Sequence, residues 1–144
     1  VMNNQNIREL KNENEWAAAF SVIQQLRTHL TSTSYLSHLK QMVQEGYQLF
    51  AKYDNGRIAA VAGIVLRTNF YYGNHVFVYD LVTDSQHRSQ GYGEELLMYI
   101  HEYGKNNGCN MVALESGLHR IDAHRFYESK MGYEKFCYSF KKEL

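Results

Sequence analysis

From residue 58 to residue 66 the chain reads Ile-Ala-Ala-Val-Ala-Gly-Ile-Val-Leu, and Asp54-Asn55-Gly56 stands just before it. A continuous apolar run of this kind belongs to a strand buried on both faces. Asn-Gly supplies the positive φ that a type I′ turn requires, so the run folds back on a preceding strand over residues 47–53. Ile7 to Leu10 reads as a short first strand. Trp16, Phe20, Ile23, Leu26 and Leu30 then recur at helical spacing. Thr31 to Ser34 offers N-caps for a second amphipathic helix marked by Leu36, Leu39, Met42 and Val43, ending near Gly46. After a turn near Tyr72-Gly73-Asn74, residues 76–83 form another strand. Leu96, Leu97, Ile100 and Tyr103 make a helical stripe that closes near Asn107-Gly108. Residues 111–114 form a buried strand, 122–131 a helix and 133–140 a terminal aromatic strand. The order β-α-α-β-β-β-α-β-α-β predicts a mixed α/β sheet rather than a bundle or sandwich.

No repeat, linker or low-complexity tract divides the 144 residues, so a single domain over 1–144 is expected, long enough to bury a core without disulfides. Fifteen Lys+Arg balance fifteen Asp+Glu, which excludes general binding to nucleic acid, where phosphates demand an excess of cation. No apolar run approaches the roughly 18 residues of a membrane helix, and residues 1–6 lack the basic and apolar regions of a signal peptide. A cytoplasmic protein with no membrane partner is the expectation. Cys109 and Cys137 read as two reduced core thiols. Twelve tyrosines are a surplus in search of a reason.

The chemistry concentrates in Thr83-Asp84-Ser85-Gln86-His87-Arg88-Ser89-Gln90-Gly91-Tyr92-Gly93-Glu94-Glu95. A strand ends, a polar loop turns, and a helix begins at or just after Gly91. The first helical turn leaves backbone N–H groups unpaired, and its dipole favours an anion. Gly91 and Gly93 remove side chains where an anionic group would touch the backbone, and Arg88 adds a cation able to fork onto phosphate. A P-loop needs Gly-Lys followed by Ser or Thr, which is absent, and the third glycine of a dinucleotide fingerprint is replaced by Leu96. The pattern fits a pyrophosphate.

These residues resemble the GCN5-related N-acetyltransferase superfamily, whose acetyl-CoA motif Arg/Gln-x-x-Gly-x-Gly/Ala is matched by Arg88-Ser89-Gln90-Gly91-Tyr92-Gly93. The family's second motif, roughly Ala-x-x-x-Tyr-x-x-x-Gly-Phe, is matched from Ala123 through Tyr127 to Gly132-Tyr133. The resemblance covers residues 76–136 well and agrees with the earlier region in element order. It implies an α/β (α+β) fold: a mixed, mostly antiparallel central sheet of six to seven strands flanked by about four helices. Many relatives carry Asn three residues before the motif Ala. This chain has Arg120 there, which either reaches a phosphate of CoA or is simply solvated.

By the same resemblance, amides of Arg88, Ser89, Gln90, Gly91, Tyr92 and Gly93, with Glu94 adding one more, would bind the pyrophosphate of acetyl-CoA. Leu81, Val82 and Thr83 would pair with the pantetheine like an added strand, with the Val82 N–H facing the thioester carbonyl. Tyr127 is the expected acid for the departing thiolate, because a phenol with a reference pKa of about 10 is protonated at neutral pH. Asp80 is the first candidate to take the amine proton, directly or through water, with Asp84, Glu115 and His119 as alternatives. An amine that enters neutral needs no dedicated base. His119 and His124 are spaced onto different helical faces, and no metal is assigned.

The implied activity is transfer of acetyl from acetyl-CoA to an amine by direct attack in a ternary complex. Neither cysteine lies on a motif, which disfavours an acetyl-enzyme. A catalytically silent acyl-CoA-binding or sensing module, and a nucleotide-binding protein, are the competing classes. The acceptor is a small-molecule or protein amine. Residues 13–46, which would flank its groove, hold no dominant charge and lack the strong acidity expected for polyamines or aminoglycosides. Exposed aromatics in the last strand would suit a homodimer.

Overall fold

The computed structural model describes residues 6–144. Five strands stand in the order of the chain: β1 (Ile7–Leu10), β2 (Gln48–Asp54), β3 (Arg57–Asn69), β4 (Gly73–Thr83) and β5 (Met111–Leu114). The first four pair antiparallel. β5 starts beside the start of β4, where the Asn110 N–H donates to the Asn74 carbonyl at 3.1 Å, so the sheet is mixed. Helices α1 (Glu13–Leu26) and α2 (Ser32–Gln44) connect β1 to β2, α3 (Tyr92–Asn106) connects β4 to β5, and α4 (Ile121–Arg125) follows.

Local chemistry explains the punctuation. Asn55 and Gly56 have φ of 50° and 77°, the double left-handed step of a type I′ turn between β2 and β3. The Asn12 side chain accepts from the Glu15 N–H at the start of α1, and Thr31 with Ser34 forms a reciprocal capping box on α2. β3 is the buried strand expected of its composition, with Ala59 to Ala62 and Ile64 all at 0 % exposure.

The residues to Ala113 make one compact unit and those from Leu114 a second. In the first, the sheet separates two layers of core. Leu49, Ala51, Val61 and Val65 turn toward α1 and α2, meeting Val22, Ile23, Tyr35 and Leu39. Alternation sends Phe50 to the other face, where its ring lies 5.8 Å from that of Tyr99 and 5.1 Å from that of Tyr103 on α3. Each fully buried side chain of this size contributes about 1.5–3 kcal/mol.

α3 approaches β4 so closely that a Cβ on Gly104 would stand 2.7 Å from Val76 Cγ2. Glycine inside a helix ordinarily costs about 1 kcal/mol against alanine. Here overpacking reverses the sign: Gly104→Ala is expected to destabilise by about 1–3 kcal/mol, read as a lowered thermal midpoint.

Two expectations are corrected. Residues 133–140 form no strand, so the described sheet has five strands rather than six to seven. Aromatic residues favour strands by fitting a half-buried pleated surface, and Phe136, Tyr138 and Phe140 are exposed. Cys109 is buried, with burial pushing its thiol pKa up, whereas Cys137 is exposed rather than a core thiol. Among the described residues no helix is long and apolar enough to cross a membrane.

Candidate active site

β4 ends at Thr83 and a single 3-10 turn, Ser85–His87, carries the chain toward α3. That turn is tied down on both sides. Asp84 accepts from the Gln25 amide of α1 at 2.7 Å and contacts His87 Nδ1 at 2.7 Å, while the Ser85 N–H donates to Gln25 Oε1 at 2.9 Å. These bonds, Gln25 first and His87 next, hold the Asp84 carboxyl below its usual range.

Beyond it the backbone enters the left-handed region at Ser89 (φ 64°) and again at Gly91 (φ 80°), after which Tyr92 starts α3. A left-handed residue next to a right-handed one turns successive N–H groups into one concavity, an anion-binding nest. No backbone N–H from Ser89 to Gly93 finds a partner among the described residues, and Gly91 brings no capping side chain. The exposed Arg88 side chain likewise makes no hydrogen bond or ion pair among them.

The two glycines serve different needs. A Cβ on Gly91 would meet nothing within 4 Å, so its conformation requires glycine and the space above it is open. A Cβ on Gly93 would stand 3.1 Å from Thr83 Oγ1, so glycine lets the helix start sit against the end of β4. Beneath the cradle the buried Lys52 pairs with Glu95 at 2.7 Å and lies 5.6 Å from the centre of the Tyr92 ring.

The β3–β4 ladder decides which strand amides are available. Asp84 N–H donates to Ala59 O at 2.8 Å, and the same register pairs Val61 with Val82 and Ala60 with Thr83. Hydrogen-bonded and non-bonded pairs alternate in an antiparallel ladder, so the Val82 N–H turns toward β3 while those of Leu81 and Thr83 turn away. The Val82 N–H, expected to face a thioester carbonyl, is thus turned to β3, and the strand amides facing away from β3 are those of Leu81 and Thr83.

The register also jumps. Gly63 faces Asp80 but Ile64 faces Val78, which leaves Tyr79 as an extra residue in β4. The bulge brings the Tyr79 and Asp80 side chains to the same face, that of α1 and α2. There Asp80 is buried and fully engaged: Arg27 Nε donates to Oδ1 at 2.9 Å and the Tyr47 hydroxyl donates to Oδ2 at 2.7 Å. Arg27 Nη2 also donates to the Tyr79 carbonyl at 2.8 Å. The Tyr47 hydroxyl occupies the space where a Gly63 side chain would stand, so Gly63 is what admits it. Burial, then the Asp80 charge, raises the Tyr47 phenol well above its ordinary pKa. Neither Arg27 nor Tyr47 emerged from the sequence, since they lie 53 and 33 residues from Asp80.

In the second unit the expected helix over 122–131 divides into α4 and a π-helical turn, Phe126–Lys130, in which the Met131 N–H donates to Phe126 O at 3.0 Å. Tyr127 lies in that turn. Its ring centroid is 5.4 Å from that of Phe126 and 5.7 Å from that of Tyr133, and its carbonyl accepts from the Tyr133 N–H at 2.8 Å. Burial raises the Tyr127 phenol above its ordinary pKa, and the Arg120 charge acts in the opposite sense. Arg120 precedes α4 without capping it, and Glu115 and His119 are exposed. His124 Nε2 lies 2.8 Å from Gly117 O.

The Acetyltransferase (GNAT) family matches residues 12–133. The uncharacterized N-acetyltransferase YhdJ of Bacillus subtilis (strain 168) is 41% identical over 139 residues, 96% of this chain and 98% of its own length. The aminoalkylphosphonate N-acetyltransferase of Salmonella typhimurium is 28% identical over 91 residues, 62% of this chain and 58% of that protein. Among solved structures, the aminoglycoside N-acetyltransferase AAC(6')-Iy in complex with CoA superposes with a TM-score of 0.82 at 17% identity, over 96% of this chain and 93% of that one. At that identity the likeness concerns the fold.

Proposed function

The chain belongs to the GNAT acetyltransferase family, and from that premise we propose that it transfers the acetyl group of acetyl-CoA to an amine in a ternary complex. The observation that carries this reading is the row of unpartnered amides from Ser89 to Gly93, beside an unpaired Arg88 and beneath open space at Gly91. Such a row suits an anion, and its length suits a pyrophosphate. The matched residues 12–133 run through both compact units, so we read the chain as one acetyltransferase domain.

Acetyl-CoA supplies the acyl carbon whose C–S bond breaks. Each residue then has a defined task. The amides of residues 88–93, with Glu94 at the helix start, seat the pyrophosphate, and Arg120 is assigned to a CoA phosphate. The outward amides of Leu81 and Thr83 align the pantetheine, and the Leu81 N–H donates to the carbonyl oxygen as it gains charge. Val82 anchors the strand. The amine nitrogen attacks the acyl carbon, the sulfur leaves, and Tyr127 gives it a proton. An ammonium proton goes to Asp80 once one of its two contacts opens, or to water; a neutral amine gives up its proton after attack, to water or to the phenolate that Tyr127 becomes on protonating the sulfur.

An amine acceptor agrees with the names of the relatives, one acting on aminoalkylphosphonate and one on an aminoglycoside. The test is thiol release from acetyl-CoA across a panel of amines, with calorimetric titration of CoA alongside. Amine-dependent release supports the enzyme. CoA binding with no release for any amine points instead to the silent acyl-CoA-binding module.

A further inference from the structure

We infer that Arg27 selects the acceptor, and that the preferred substrate is a small amine carrying an oxyanion, either carboxylate or phosphoryl, a few ångströms from its nitrogen. The inference rests on the reading of β4 as the strand that holds the acyl group.

Arg27 terminates α1 and reaches across to the bulge. Two edges of its guanidinium are committed, Nε to Asp80 Oδ1 at 2.9 Å and Nη2 to the Tyr79 carbonyl at 2.8 Å. Nη1 makes no hydrogen bond among the described residues, and the side chain keeps 43% exposure against 10% for Asp80. The pair therefore presents the edge of a held cation, not a carboxylate. Asp80 with Tyr47 behind it fixes the guanidinium plane, so a second anion meets a preorganised donor.

Position gives the choice of substrate. Tyr79 and Asp80 immediately precede Leu81, whose N–H turns away from β3 toward the acyl carbonyl. One to two strand residues span about 3–7 Å. An amine attacking there would place a group two or three bonds further along within reach of Nη1. Asp80 is the carboxylate paired with this cation, and Asp84, further along the chain, is itself bonded to Gln25 and His87. A polycationic acceptor would find no unpaired carboxylate at the bulge.

The experiment compares β-alanine and O-phosphoethanolamine with ethanolamine, a matched amine without the oxyanion. Kinetics with acetyl-CoA and calorimetric binding to the CoA-loaded protein are both measured. The wild-type protein is expected to prefer one or both anionic amines over ethanolamine by at least about tenfold in kcat/KM, as a charge-assisted hydrogen bond implies. The relative preference for carboxylate or phosphoryl identifies the source. Arg27→Gln is expected to remove that preference by raising the KM of the anionic amines toward that of ethanolamine, with the KM of acetyl-CoA unchanged. Arg27→Lys, which keeps a charge opposite Asp80, is expected to fold and to regain part of it. Equal use of ethanolamine by the wild-type protein, or equal loss for all amines in Arg27→Lys, overturns the inference. Anionic amines that bind through Arg27 without being acetylated would uphold the subsite and sink the transferase reading, so the two failures differ.

Discussion

Replacing Tyr127 by Phe is expected to lower kcat by about two to four orders of magnitude, the usual worth of a positioned acid or base, while the affinity for CoA stays as it was. The substitution removes one oxygen and keeps the ring packed against those of Phe126 and Tyr133. The loss should thus fall on chemistry, not on folding. The pH dependence supplies an independent reading. Burial raises the phenol, the opposing Arg120 charge notwithstanding, so the acid form persists beyond its ordinary value of about 10. In the wild-type protein the alkaline fall of kcat that belongs to Tyr127 should begin above that pH. Unchanged turnover in the Phe variant would remove Tyr127 from the chemistry.

The second large effect belongs to Gly91. Gly91→Glu is expected to weaken CoA binding about a hundredfold or more by calorimetry, equivalent to the loss of two charge-assisted hydrogen bonds. Two causes act together. A φ of 80° strains any side-chain-bearing residue, and the new carboxylate enters the open space that the pyrophosphate is proposed to fill. A Gly91→Ala control carries the strain without the charge and should lose much less. Normal CoA affinity in the Glu variant would refute the phosphate cradle.

How far these features were readable in advance depends on their range. The type I′ turn at Asn55-Gly56, the buried β3 and the glycine pair at the start of α3 are local, and residues a few positions apart announce them. The bulge at Tyr79 is not local: an extra residue exists only relative to a partner strand, so β4 alone reads as uninterrupted alternation. The same holds for the outward amides of Leu81 and Thr83, which depend on the pairing of Asp84 with Ala59. Arg27 and Tyr47 reach Asp80 through tertiary contacts that no spacing rule anticipates. The π turn at Tyr127 departs from a helix by one residue, less than apolar periodicity resolves. The aromatic stretch 133–140 misled for the opposite reason, since its composition speaks for a strand and strands need partners.

The bulge in β4 also gives that strand a reading frame. Upstream of Tyr79 the buried Val76 and Val78 face α3, and downstream Asp80 faces α1. Losing Tyr79 would cancel the bulge and keep Val78 opposite Ile64 and Asp80 opposite Gly63, whereas losing Phe77 would pull Val76 to the opposite face and send His75 into the space shaped for Val76. Substitution and length change therefore have unequal tolerance along the chain. The turn at Phe70 and Tyr71, both exposed, can accept added residues, whereas β4 can give up a residue only at the bulge.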